Sequence, residues 1–181
     1  MAAESQDYNE TDHVRWLGTA TRYLTAAKVL VDTQDYASSR MVHLPALHLT
    51  AHGIELLLKA NLIGAGWTVD DVRKRFGHFL LPLWRAQENE KLRIETRCAA
   101  RLVHEEAAAS ARWACEFSGD PGLLLEEAIE RLAPLHSSET YFALRYPGDP
   151  QLVGPRVPFL AFAFWRVAEL GRDQPRLMLP D

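Results

Sequence analysis

The chain has 181 residues, 48% of them apolar and 24% charged, with a formal net charge of −4. That length supports one domain with its own core, and the acidic balance argues against a protein that wraps duplex DNA, which is usually basic. No apolar run reaches the length of about 18 residues that a membrane span requires.

The opening MAAESQDYNETD is acidic and polar, unlike a secretory leader. Cys98 and Cys115 have neither CxxC nor zinc spacing and make a poor disulfide framework. A reducing cytoplasm is the expected compartment. Residues 1–10 are read as a flexible tail on a single domain spanning 1–181. Val14, Leu17, Tyr23, Leu24, Ala27 and Leu30 recur at helical spacing, which predicts a first helix over about 11–33, capped by Thr11 or Asp12. DTQDYASS breaks the pattern and reads as a loop.

LPALHLTAHGIELLLKANLIGAG is the clearest helix. Pro45 suits a first turn, Gly64 and Gly66 provide a stop, and leucine and isoleucine occupy so many positions that other helices must enclose it. WTVDDVRKRFGHF predicts a short helix capped by Thr68 and ended at Gly77. The stretch from Leu80 to Phe117 is rich in helix formers and divides near Asn89. GDPG at 119–122 is a turn, and Leu123–Leu135 is a further helix. HSSETYFALRYPGDPQLVGP has few helical signals, and the last helix covers about 158–171. These elements predict an all-α, up-and-down bundle of five or so helices.

Three segments stand in one order: AHGIELLLKANLIGAG, then FGHFLLPLW, then YFALRYPG. Together they resemble the HEPN superfamily, in particular a branch with an AxxEL-LKA helix, a GH turn and an RYP loop. The resemblance covers about residues 11–171. It implies a helical bundle that commonly forms a homodimer. Some such domains are metal-independent endoribonucleases of toxin–antitoxin or defence systems, which cut with Arg-x4-6-His pairs facing one groove. Others are non-catalytic and bind RNA, a nucleotide or a cognate partner protein. The expectation for this chain is a cytoplasmic, non-catalytic RNA- or nucleotide-associated module. The nuclease is the first alternative and a structural interaction domain the second.

In a nuclease of that kind histidine moves the proton of the 2′-hydroxyl and arginine holds the phosphate. Three pairs have the spacing: Arg73–His78, Arg97–His104 and Arg131–His136. Chance alone gives this composition about two such matches, so position has to rank them. Arg97 and His104 lie seven apart on one helix and share a face. Arg73 and His78 come second because Gly77 separates them. Pro134 is expected to bend or end the helix between Arg131 and His136. His78 itself is expected to cap the next helix or bond across the bundle.

His48, His52, Glu55 and Lys59 form one stripe of the second helix. An H-x3-H-x2-E set offers metal ligands on one face. The preferred reading is plainer, with Glu55 paired to Lys59 or to Arg145 in the RYP loop. No metal or cofactor is expected. Glu55, Lys59, His78, Arg145 and Tyr146 are the candidate ligand-binding residues. Arg93, Arg97 and Arg101 make a basic stripe, read first as a salt-bridged surface and second as an RNA groove with Trp84 and Trp113 for stacking. VPFLAFAFW is a core seam or a dimer contact.

Overall fold

A computed structural model describes the chain apart from residues 1, 111–116, 141, 147–150, 152, 177–178 and 180–181, and apart from the side chains of residues 2–11 and 40. Among the described residues the secondary structure is helical throughout. The α-helices are α1 (Ala2–Asp32), α2 (Gln34–Ser38), α3 (His43–Gly64), α4 (Val69–Phe76), α5 (Leu80–Arg85), α6 (Glu90–Ser110), α7 (Pro121–His136) and α8 (Val157–Asp173). Short 3-10 turns precede α3 and α6 and follow α7.

The centre is α3. Ala51, Ile54, Leu58, Ala60 and Leu62 have no exposed surface, which is what an apolar helix without a polar face requires. The long α1 lies along α3 and also meets α8, while α6 packs on α8 and α7. Gly53 permits the close approach of α1 to α3. A Cβ there would come within 2.6 Å of the Leu24 side chain. α8 is the seam of the core: Phe159, Leu160, Phe164 and Val167 are buried. Phe162 and Trp165 remain partly covered, with the Lys28 ammonium 5.5 and 5.0 Å from their ring centroids.

Several boundaries differ from the sequence reading. The first helix starts at Ala2 and not at Thr11. Asp12 is no N-cap; it is buried and accepts from Arg15 at 3.0 Å. DTQDYASS is not all loop: Thr33 accepts from the Tyr36 amide and caps the one-turn α2. α7 runs through Pro134 to His136. Proline removes only one amide there, two residues from the helix end, and its carbonyl is taken up by Ser137 and Thr140. The expected break near Asn89 is present between α5 and α6. Buried Asn89 fixes that break by donating to the Leu83 carbonyl at 2.8 Å and accepting from Asn61 at 3.0 Å.

Candidate functional site

The apolar α3 carries two charged residues into the core. Glu55 and Lys59 are 2% and 4% exposed. One helical turn separates them, and the Lys59 ammonium donates to Glu55 Oε1 at 2.5 Å. Lysine brings three donors, and a second reaches the Gly77 carbonyl at 2.5 Å.

Gly77 ends α4 with φ 50° and ψ −118°, a backbone conformation that a side chain disfavours. The chain can therefore reverse tightly, and His78 follows in the turn. Its Nδ1 donates to Glu55, 3.1 Å from Oε1 and 3.2 Å from Oε2. The other carboxylate edge is taken from α7. His136, the last residue of that helix, places Nε2 2.5 Å from Glu55 Oε2. An ionised carboxylate only accepts, so both imidazoles present N–H to it. His52, one turn before Glu55, has its Nδ1 3.9 Å from Oε2, beyond hydrogen-bond reach.

Burial acts to raise the Glu55 pKa. The His136 hydrogen bond, the nearby His52 and the Lys59 ammonium act the other way and prevail, holding Glu55 well below the usual carboxylate range. Burial lowers His136, and the opposing pull of Glu55 does not restore it. His48 is lowered too, by burial first and then by His136, Arg145 and His52. The site is therefore an ionised carboxylate beside the Lys59 amine, with His48 and His136 held toward their neutral forms.

The loop after α7 closes the outer side. Phe142 has φ 55°, the one non-glycine residue with positive φ among the described residues. A bulky residue there stores strain that the surroundings must sustain. Its carbonyl accepts from the amides of Arg145 at 2.7 Å and Tyr146 at 3.1 Å, and Leu144 is anchored by its amide on the Leu135 carbonyl at 3.3 Å. The Phe142 ring meets His78 edge-on at 5.8 Å, and the Arg145 guanidinium carbon lies 5.1 Å from the same ring centroid. Phe142 thus joins the GH turn and the RYP loop into one wall over Glu55. Tyr146 is 62% exposed beside it.

No family model, no curated protein and no solved structure matches this chain.

Of the five candidate ligand-binding residues, Glu55, Lys59 and His78 meet directly. Arg145 and Tyr146 belong to the covering loop. The alternative partner for Glu55, Arg145, is replaced by His136, and Arg145 lies on Phe142 instead. His78 does not cap a helix; it sits in the turn before α5, with a side chain 46% exposed. Arg73 is exposed on α4 and is not among the groups around Glu55.

Arg97 and His104 share α6, but Arg97 Nη2 is held by Glu126 Oε1 at 2.7 Å. The same carboxylate accepts from Trp84 Nε1 at 2.9 Å. Trp84 is 1% exposed and so belongs to the core, with no face for stacking. Trp113 lies outside the described residues. Arg93 caps α5, donating to the carbonyls of Trp84 and Ala86 at 2.5 and 2.7 Å. Two of the three stripe arginines are thus engaged within the fold.

Sequence reasoning missed two members of the site. In the sequence His136 stands out only as the partner of Arg131, which is exposed. Phe142 carries no local signal for its backbone conformation. His52, Glu55 and His136 offer ligand atoms that all lie within 4.8 Å of one another, so these three can hold a cation.

Proposed function

We propose that the chain is a HEPN-like helical module that binds RNA or a nucleotide without cutting it, of the kind used in bacterial stress, defence or toxin–antitoxin systems. The observation that carries this reading is the wall of His78, Phe142 and Arg145 over the buried Glu55 cluster. Arg145 is exposed and has no carboxylate partner in the cluster, so its guanidinium is available to a phosphate. Phe142 and the exposed Tyr146 offer aromatic surface to a base. Lys59 and Glu55 hold each other and support the wall from beneath.

The resemblance also brings a homodimer and a cognate partner protein into the proposal. Sedimentation equilibrium checks the first. Twice the 20.5 kDa chain mass is expected, and a monomer would confine the site to one chain.

One observation favours the metal-independent endoribonuclease as a second reading. His78 is oriented by a carboxylate while nearly half its side chain is exposed. Carboxylates orient catalytic histidines in the same manner. The histidine of that reading is His78, since Arg97 is tied to Glu126.

Labelled single-stranded and transfer RNA incubated with the protein in EDTA separates the two. Retention on a filter without cleavage is expected from the binding module. Cleavage that disappears in His78→Ala and survives in His104→Ala would replace it with the nuclease.

A further inference from the structure

We propose that His52, Glu55 and His136 form a binding site for a transition-metal dication of the zinc, cobalt or nickel class. The site lies beneath the Arg145 wall and stands whether or not a nucleotide binds above it.

The geometry comes from two helices. His52 and Glu55 are three apart on α3 and so share a face. His136 is delivered by the end of α7 with a side chain that has no exposed surface. The ligand atoms of the three residues lie within 4.8 Å of one another. The Glu55 carboxylate is already divided in the required way. Lys59 is bonded to Oε1, while Oε2 faces His136 Nε2 at 2.5 Å and His52 Nδ1 at 3.9 Å. An ion between Oε2 and Nε2 replaces their hydrogen bond: the Nε2 proton moves to Nδ1 of the same ring, which leaves Nε2 free to ligate, and the two atoms open to about 3.4 Å, the separation set by tetrahedral metal–ligand bonds of about 2.1 Å.

A second observation is independent of that spacing. Nδ1 of His52 is buried and has no hydrogen-bond partner among the described residues, and the same is true of Nδ1 of His48 and of His136. Buried polar atoms are normally satisfied. The three rings stand 6.3 to 6.4 Å apart, centroid to centroid, in a nearly equilateral triangle. Three buried nitrogens without partners, on rings that border one another, are donors or acceptors open to a ligand. A hydrated ion would take a nitrogen ligand from His52 and offer water to the other two. An ordered water alone would satisfy some of the same atoms, and the experiment below separates the two.

The donor set selects the ion. Calcium and magnesium require several oxygen ligands. Here there is one carboxylate, and Lys59 already balances its charge. Imidazole nitrogen suits zinc, cobalt and nickel. Two nitrogens and one oxygen leave a coordination position open, as in zinc sites that bind water or substrate. The His52 side chain, 25% exposed, gives the ion a way in.

The test is a cobalt(II) titration of the tag-free, EDTA-stripped full chain, followed by visible absorption, with zinc binding measured by calorimetry. One cobalt per chain is expected, with d–d bands that millimolar magnesium does not remove. His52→Ala should weaken binding by about tenfold or more, the scale seen when a metal site loses part of its support. His104→Ala should match wild type. His136→Gln, which can still donate to Glu55, is the second variant should His52→Ala fail to fold, and it should also lose the bands. Absence of bands and heat with wild type would overturn the site. Unchanged binding in folded His52→Ala or His136→Gln would overturn the ligand assignment.

Discussion

At the scale of single residues, Glu55 organises the molecule. It collects Lys59, His78 and His136 from three parts of the chain. A buried ion pair is weak evidence of net stability, but removing one partner strands the other charge. Glu55→Gln leaves the Lys59 ammonium 4% exposed without its anion. We expect a loss of about 3–5 kcal/mol, read from urea unfolding; a loss under about 1 kcal/mol would mean that Lys59 finds another anion or loses its proton. Acid should act on the same residues. His48 and His136 are held below their ordinary value of 6.5 in the folded chain. The unfolded chain therefore binds their protons first, and stability falls as pH drops below about 6.5. Glu55 is likewise lowered, from an ordinary 4.5. Its contribution is complete above that value and is lost as pH falls further. The urea midpoint measured with EDTA should thus decline from pH 7.5 to 5, and the decline should be shallower in His136→Gln. A midpoint that rises toward pH 5 would contradict the neutral state of these histidines.

At the scale of elements, the α4–α5 turn sets the position of His78. Thr68 caps α4 by accepting from the Asp71 amide at 3.1 Å, and Gly77 ends it. Gly77→Ala imposes a side chain at φ 50° and should cost about 1–3 kcal/mol. It should also shift the His78 imidazole resonances, because the turn carries both His78 and the carbonyl that Lys59 uses. Unchanged stability and unchanged resonances would mean that the turn does not position His78. This turn was legible in the sequence, where a threonine, a short amphipathic run and a glycine mark start and stop. The Glu55–Lys59 pair was legible too, since i,i+4 spacing is a local property. His136 was not, because it meets Glu55 across 81 positions of the chain and nothing local encodes that distance. The run of α7 through Pro134 hid it further, since proline reads as a helix end. Phe142 was equally hidden, as its positive φ follows from the bonds of its carbonyl and from Leu144 on Leu135, all tertiary consequences.

At the scale of the whole molecule, the all-α architecture followed directly from periodicity, and burial resolved what periodicity left open. Most of VPFLAFAFW is buried against the rest of the chain and forms a core seam, with Phe162 and Trp165 half-buried at its edge. Phe164 has no exposed surface and meets Trp84 at 5.8 Å. Phe164→Ala should therefore cost about 3–5 kcal/mol, with thermal unfolding as the measurement; a change under about 1 kcal/mol would mean that the seam repacks. The core encloses α3, and the polar cluster is built on α3 with α7 and two loops arranged around it. The proposed binding face is the outer layer of that cluster.

The most direct test of that face is calorimetric titration of the full chain with a nucleoside diphosphate and with a short single-stranded RNA. Saturable binding by at least one of them is expected, weakened about tenfold by Arg145→Ala, the scale of a charged hydrogen bond of about 1.5–3 kcal/mol, and unaffected by Arg97→Ala. Binding that depends on Arg97 and ignores Arg145, or no binding of either ligand by the folded protein, would contradict the proposed binding face.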